Sequence, residues 1–223
     1  QQGVSRPLAA LWCAAALLVS CAVPAADLDE AIRYVYTTSA MQAPPYDYAF
    51  DVDQFNPNDT PRPEYSRLRA IGVIVTGTIG GSLGIENTDP ACASFYSVEV
   101  PVEFTLYRPN GSVITRVTTR GSADGVLDWY DGVTDYMGPS GETFTVEASR
   151  TRTASRITGE TDLKAFTGTK TIRLTLRVGD VLPVWTVDGK KTYSTAQNPL
   201  AGATLTIIYY YSVCVPGLYR AYI

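Results

Sequence analysis

The residues best placed to do chemistry in this chain are carboxylates set among aromatic rings. Asp124, just before Gly125, and Asp128, Asp131 and Asp135, between Gly125 and Gly138, are interleaved with Trp129, Tyr130 and Tyr136. Carboxylates beside a flat ring can hold Ca²⁺ through hard oxygen ligands, or can hydrogen-bond the hydroxyls of a sugar stacked on the ring. The spacing does not follow an EF-hand loop, which needs oxygen donors at alternate positions and a closing glutamate. A solvated loop whose aromatics fold back onto a core accounts for the same residues, and the sequence favours it. A second oxygen-rich stretch, Asp51, Asp53, Asn56, Asn58 and Asp59, opens like a calcium loop, but Phe55 stands where a ligand belongs. Pro57 and the Asn58-Asp59 pair suit a turn.

Other chemistry is narrowed by composition. The chain has no histidine, which removes the commonest general base, the Ser-His-Asp and Cys-His arrangements and imidazole metal sites. Paired carboxylates of the kind a glycosidase uses occur in both acidic stretches, but a chain with 22 acidic residues brings such pairs together by chance. The expectation is a non-enzymatic protein without a cofactor, Ca²⁺ being the ion its acidic stretches would take. Lys and Arg number 18, giving a formal charge of −4, which argues against nucleic acid or an anionic membrane surface as partner. Arg150, Arg152 and Arg156 form the one basic run and share strand parity. They read as a solvated face, or as a surface for an acidic polysaccharide or a neighbour's acidic loop.

These groups sit in a chain marked for export. Arg6 precedes an apolar run over residues 8–19, followed by small residues and an acidic start at Asp27. A positive segment, about twelve apolar residues and a small-residue cleavage point make a secretory signal, too short to span a membrane. Residues 1–25 form this segment in either of two ways. Leu18-Val19-Ser20-Cys21 has the form of a lipobox that would acylate Cys21, and ordinary cleavage after Ala25 is the alternative. A lipid on Cys21 would be the only membrane attachment. Cys13 and Cys21 fall in the signal, which leaves Cys92 and Cys214 to form a disulfide in an oxidising compartment.

Residues 26–223 read as a single all-β domain, an antiparallel β-sandwich of jelly-roll type. Residues 98–106 alternate, with Val98, Val100, Val102, Phe104 and Leu106 inward and Glu99, Glu103 and Thr105 outward. Pro101 lacks a ladder donor, so this strand is expected to run along a sheet edge there. Asn110-Gly111 then joins it to residues 112–119 as a hairpin. Residues 171–178 and 203–212 alternate in the same way. Residues 69–77 and 81–85 read as two strands split at Gly80-Gly81, and 184–187 with 190–193 as a hairpin around Asp188-Gly189. Residues 32–38 and 46–51 add short strands, and 161–166 a single helical turn. No linker divides the chain.

In chain order, Asp53-Gln54-Phe55-Asn56-Pro57, residues 68–77, residues 81–87, Asp162-Leu163-Lys164-Ala165-Phe166-Thr167-Gly168-Thr169 and residues 203–211 resemble the bacterial choice-of-anchor E domain. Its members carry a QFDP-like opening, a VTLTG strand, a DLxxFxGTGT segment and a closing VTVTYTY strand. The likeness spans residues 32–212, is most specific at 162–169, and departs where Lys170 replaces glycine. It implies an exported β-domain of surface or extracellular-matrix location, with other surface proteins or surface polysaccharide as partners and no catalytic residues.

Overall fold

The computed structural model describes residues 30–38, 40–154, 156–188 and 193–213. They form ten strands, one short α-helix and two single-turn 3₁₀ helices (Pro57–Asp59 and Pro63–Tyr65): β1 (Glu30–Thr37), β2 (Tyr46–Asp53), β3 (Ser66–Asn87), β4 (Ser94–Tyr107), β5 (Val113–Leu127), β6 (Gly141–Thr145), β7 (Ala148–Thr153), α1 (Glu160–Ala165), β8 (Thr171–Val178), β9 (Val184–Val187) and β10 (Tyr193–Val213). All strand pairs are antiparallel, and they make two five-stranded sheets packed face to face. The fold is the β-sandwich that the alternation predicts.

The two sheets share a plan. In each, one long strand pairs along one side with a single partner and along the other with two short strands set end to end. In the first sheet β3 has β10 on one side and β6 and β7 on the other, with β1 beyond β10. In the second, β4 has β5 on one side and β8 and β9 on the other, with β2 beyond β8. Inward positions fill the core: Val98, Val100, Val102, Phe104 and Leu106 from β4, Ile172, Leu174, Leu176 and Val178 from β8, and Leu205, Ile207, Tyr209 and Tyr211 from β10 are all buried. On β4 the outward phase has one exception. Thr105 is buried, and its hydroxyl donates to Glu103 Oε1 at 2.9 Å.

Several local expectations resolve differently. Gly80-Gly81 does not split a strand; β3 runs 22 residues through it. Gly81 adopts φ +101°, a conformation only glycine takes readily, and the ladder continues through it opposite Pro199. Residues 184–187 and 193 belong to different sheets: β9 pairs with β4, while Tyr193 pairs with Asn87 of β3. β9 and β10 therefore do not form the hairpin expected around Asp188-Gly189; residues 189–192 lie outside the described residues. Pro101 lies in a gap on one side of β4, because β9 covers Tyr96–Glu99 and β8 begins only at Phe104. The edge predicted from that proline exists, but inside a sheet. The Asn110-Gly111 turn closes the β4–β5 hairpin as expected, with Gly111 alone at positive φ, +81°.

The export segment, Cys21 included, and Cys214 lie outside the described residues. The expected Cys92–Cys214 bridge does not fit the register. Cys92 is an exposed, free thiol whose carbonyl accepts from Asn87, at one end of β3. Val213, the residue before Cys214, pairs with Ser66 at the other end. A disulfide needs Cα atoms within about 7 Å, and a strand advances about 3.3 Å per residue, whereas most of the 22-residue length of β3 separates Cys92 from Val213.

Candidate functional site

The acidic, aromatic loop follows β5 and precedes β6, at the end of the sandwich where β3 finishes. Two buried polar residues at the end of β3 hold its base. Asn87 Nδ2 donates to Asp128 O at 2.7 Å and Cys92 O at 2.8 Å, and Asn87 Oδ1 accepts from Asp89 N at 3.0 Å. Glu86 Oε2 accepts from Tyr136 N at 2.8 Å. Backbone bonds from Asp128 N to Pro139 O (2.8 Å), Tyr130 N to Asp89 O (2.9 Å) and Asn87 N to Ser140 O (2.8 Å) complete the frame. Tyr136 takes a left-handed φ of 59°. Its ring lies over Gly84, where a β-carbon would come within 3.1 Å of it, and its hydroxyl meets Ser194 Oγ at 2.9 Å. Beneath sits a cluster of Tyr96, Phe144 and Trp185, with ring centroids 6.0–6.2 Å apart. Tyr96 donates to Glu142 Oε2 at 2.8 Å. Burial first, and then that carboxylate, push its hydroxyl well above the ordinary tyrosine value.

On this frame the apolar side chains point outward. Trp129 is 65 % exposed, Val133 57 % and Met137 66 %. Trp129 therefore does not fold back onto the core, as the plain-loop reading requires of the aromatics; Tyr130 and Tyr136 do so in part. The carboxylates do not converge. Asp131 Oδ1 accepts from Val133 N at 2.9 Å and Asp135 Oδ1 from Met137 N at 3.0 Å, each closing a local turn. Asp124 stands apart on β5, opposite Ser97. Among the described residues no group of three acidic or cysteine side chains is close enough to hold a metal ion.

The second acidic stretch is framework. Asp51 binds Arg173 through both carboxylate oxygens at 2.8 and 3.1 Å, and Asp47 binds Arg177 likewise at 2.9 and 3.1 Å. These cross-strand pairs line the outer face of β2 and β8. The arginine hydrogen bonds hold both carboxyls below the ordinary aspartate value. Asp53 accepts from the Tyr36 hydroxyl at 3.2 Å, and its carbonyl accepts from the buried Tyr209 hydroxyl at 2.6 Å. Asn56 Oδ1 accepts from Asn58 N at 3.1 Å, and Asn56 Nδ2 donates to Asp59 Oδ1 at 3.3 Å, so Asn56 and Asp59 close a turn. Phe55, the residue that spoils the calcium pattern, is a core side chain packed on Tyr209 and Tyr211.

Sequence reasoning missed Glu86 and Asn87. The signal was present, since two polar residues close a strand whose inward positions are otherwise apolar. Of the basic run, Arg150 and Arg152 lie on β7, but Arg156 follows that strand and stacks over Tyr210 at 4.1 Å.

No family model matches the chain, and no curated protein matches it. Among solved structures the chain is similar to one from the T13 infectious bursal disease virus particle, at 13 % identity and a TM-score of 0.18, covering 84 % of this chain and 41 % of that one. Structures of the Gt and Gx strains of the same virus show 12 % and 15 % identity, with TM-scores of 0.16 and 0.15, each covering 86 % of this chain and 43 % of the other. The chain thus spans about two fifths of the length of those proteins. Superpositions this loose have no bearing on what the protein does.

Proposed function

We propose that the chain is an exported, non-enzymatic β-domain of the cell surface or extracellular matrix that works by presenting a fixed surface to other molecules. The observation that carries this reading is the loop at 128–139, where Trp129, Val133 and Met137 stand in solvent above a base held by buried Glu86 and Asn87. Exposed apolar side chains on a preordered loop cost little entropy to dock, and such patches mark contact sites. Export rests on residues 1–25, and the surface location on the resemblance to choice-of-anchor E domains. Attachment is by lipid at Cys21, or the protein is released by cleavage after Ala25.

Within this reading the sugar platform is the more specific form. Trp129 offers a ring face and Asp128 an exposed carboxylate beside it. Calcium suits the loop less, because Asp131 and Asp135 already accept backbone N–H groups. Glycan-array binding of wild type and Trp129→Ala, with and without chelator, tests both. Binding lost in the variant, with an unchanged melting temperature and indifference to chelator, supports the sugar platform. Equal array signals for both proteins would remove Trp129 from the site, and signals lost on chelation would restore calcium. The mass of the mature N-terminus decides between lipid on Cys21 and cleavage after Ala25.

A further inference from the structure

The flank of the sandwich carries a second surface of different chemistry. There β5, the edge of one sheet, lies beside β7, at the edge of the other. Arg116 and Arg120 from β5 and Arg150 and Arg152 from β7 line an open groove of about 480 Å³, with Thr118, Thr151 and Thr153 between them. It continues through Arg116, Arg152 and Thr153 into a second hollow of about 610 Å³ that reaches Arg108 and Arg156. Three of these arginines are matched: Arg120 pairs with Glu99 and Arg116 lies 3.9 Å from Glu103, both on β4, and Arg108 binds Asp162 at 2.9 Å. Arg150 donates to Thr118 O at 3.4 Å, and among the described residues neither it nor Arg152 has a carboxylate within ion-pair distance. An acidic protein therefore concentrates unmatched positive charge along one groove.

We infer that this groove is a binding site for an acidic polysaccharide. Guanidinium groups bind carboxylate or sulfate through two parallel hydrogen bonds, and threonine hydroxyls between them can bond sugar hydroxyls. The groove is open along its length, which suits a polymer rather than a small enclosed ligand. The acidic loop of a second copy fits less well, because Trp129, Val133 and Met137 would enter a stretch lined by arginine and threonine. Nucleic acid fits less well, because no aromatic side chain lines either hollow to stack on bases. That the polymer is a polysaccharide rests on the export reading; the groove itself is independent of the Trp129 loop.

The test uses the full mature chain and affinity electrophoresis through polygalacturonate, dextran sulfate and neutral dextran, beside an oligonucleotide and a poly-glutamate peptide. Wild type is expected to be retarded by the acidic polysaccharides and not by neutral dextran, with affinity falling at least tenfold from low to high salt. Arg150→Glu with Arg152→Glu should weaken binding at least tenfold. Arg33→Glu, an equally exposed charge reversal on β1, and Trp129→Ala should leave it unchanged. If the double reversal unfolds, Arg150→Gln with Arg152→Gln gives the same reading. Lack of retardation, equal retardation of the double variant, or tighter binding of oligonucleotide or peptide than of polysaccharide would each overturn the proposal. Loss in Trp129→Ala but not in the arginine variants would place any polysaccharide site on the loop instead.

Discussion

At 51–59 the oxygen-rich side chains are tied inward and sideways. Asp51 is clasped by Arg173, Asp53 is bridged to Tyr36, Asn56 and Asp59 close a turn, and Phe55 is sunk among Tyr209 and Tyr211. At 128–139 similar residue types are used the other way round. Polar groups brought in from β3 hold the backbone, the local carboxylates close turns, and the large apolar side chains face water. Acid density alone thus separates nothing. What distinguishes the regions is where the interleaved hydrophobic residue goes, into the core at Phe55 or into solvent at Trp129.

The contrast can be broken most severely at Phe55. Phe55→Ala should cost about 3–5 kcal/mol, the usual range for a buried phenylalanine, measured by denaturant unfolding. A loss below 1 kcal/mol would mean that the first stretch is not framework. Next comes Asn87→Ala, which removes two donors and an acceptor from the buried base of the loop. It should cost about 2–4 kcal/mol, since each lost bond leaves a partner unsatisfied. Amide exchange should rise at Asp89 and across 128–139 but not at 51–59. Faster exchange at both ends alike would show that Asn87 supports the whole sandwich rather than the loop.

The tyrosine bridge of the first region should declare itself at alkaline pH. Burial first, then the neighbouring Asp53 carboxylate, raise the Tyr36 hydroxyl from its ordinary 10.0 to about 12. The unfolded chain ionises near 10 while the folded one keeps its proton, so stability is complete below pH 10 and falls as pH rises toward 12. Melting temperature against pH, followed with tyrosinate absorbance, should show this fall, and Tyr36→Phe should flatten part of it. A profile identical in the variant would take Tyr36 out of the account. The smallest effect belongs to Trp129→Ala, within about 0.5 kcal/mol of wild type because the side chain is largely in solvent. A larger loss would mean that the ring packs on the frame beneath it.

How far these features were legible follows from their range along the chain. Alternation reports which face a residue takes, so the inward sets on β4, β8 and β10 were readable from the residues themselves. The Asn110-Gly111 turn was readable because it joins adjacent strands. Partner choice over long separations was not. Asp188-Gly189 has hairpin chemistry, yet β9 and β10 pair with different sheets, and β3 runs through Gly81 without a break. Arg116 and Arg120 meet Arg150 and Arg152 only because two sheet edges come together across the flank. The bases of both acidic stretches depend on residues far away in sequence, Arg173 and Tyr209 for one, Glu86 and Asn87 for the other.

The pairing of β1 with β10 has a consequence in time. The first described strand finds its partner only in the last, Glu30 opposite Tyr211, and β3 finds β10 over almost its full length. Topologies dominated by such distant pairings fold in milliseconds to seconds rather than microseconds, because the closing loop must form before its contacts can stabilise it. The sheet containing β1 and β3 cannot be completed until residue 213 has been made. Until then the chain stays unfinished, with the long edge of β3 open to edge-to-edge association; on the export reading proposed above, such a state suits passage through a narrow channel.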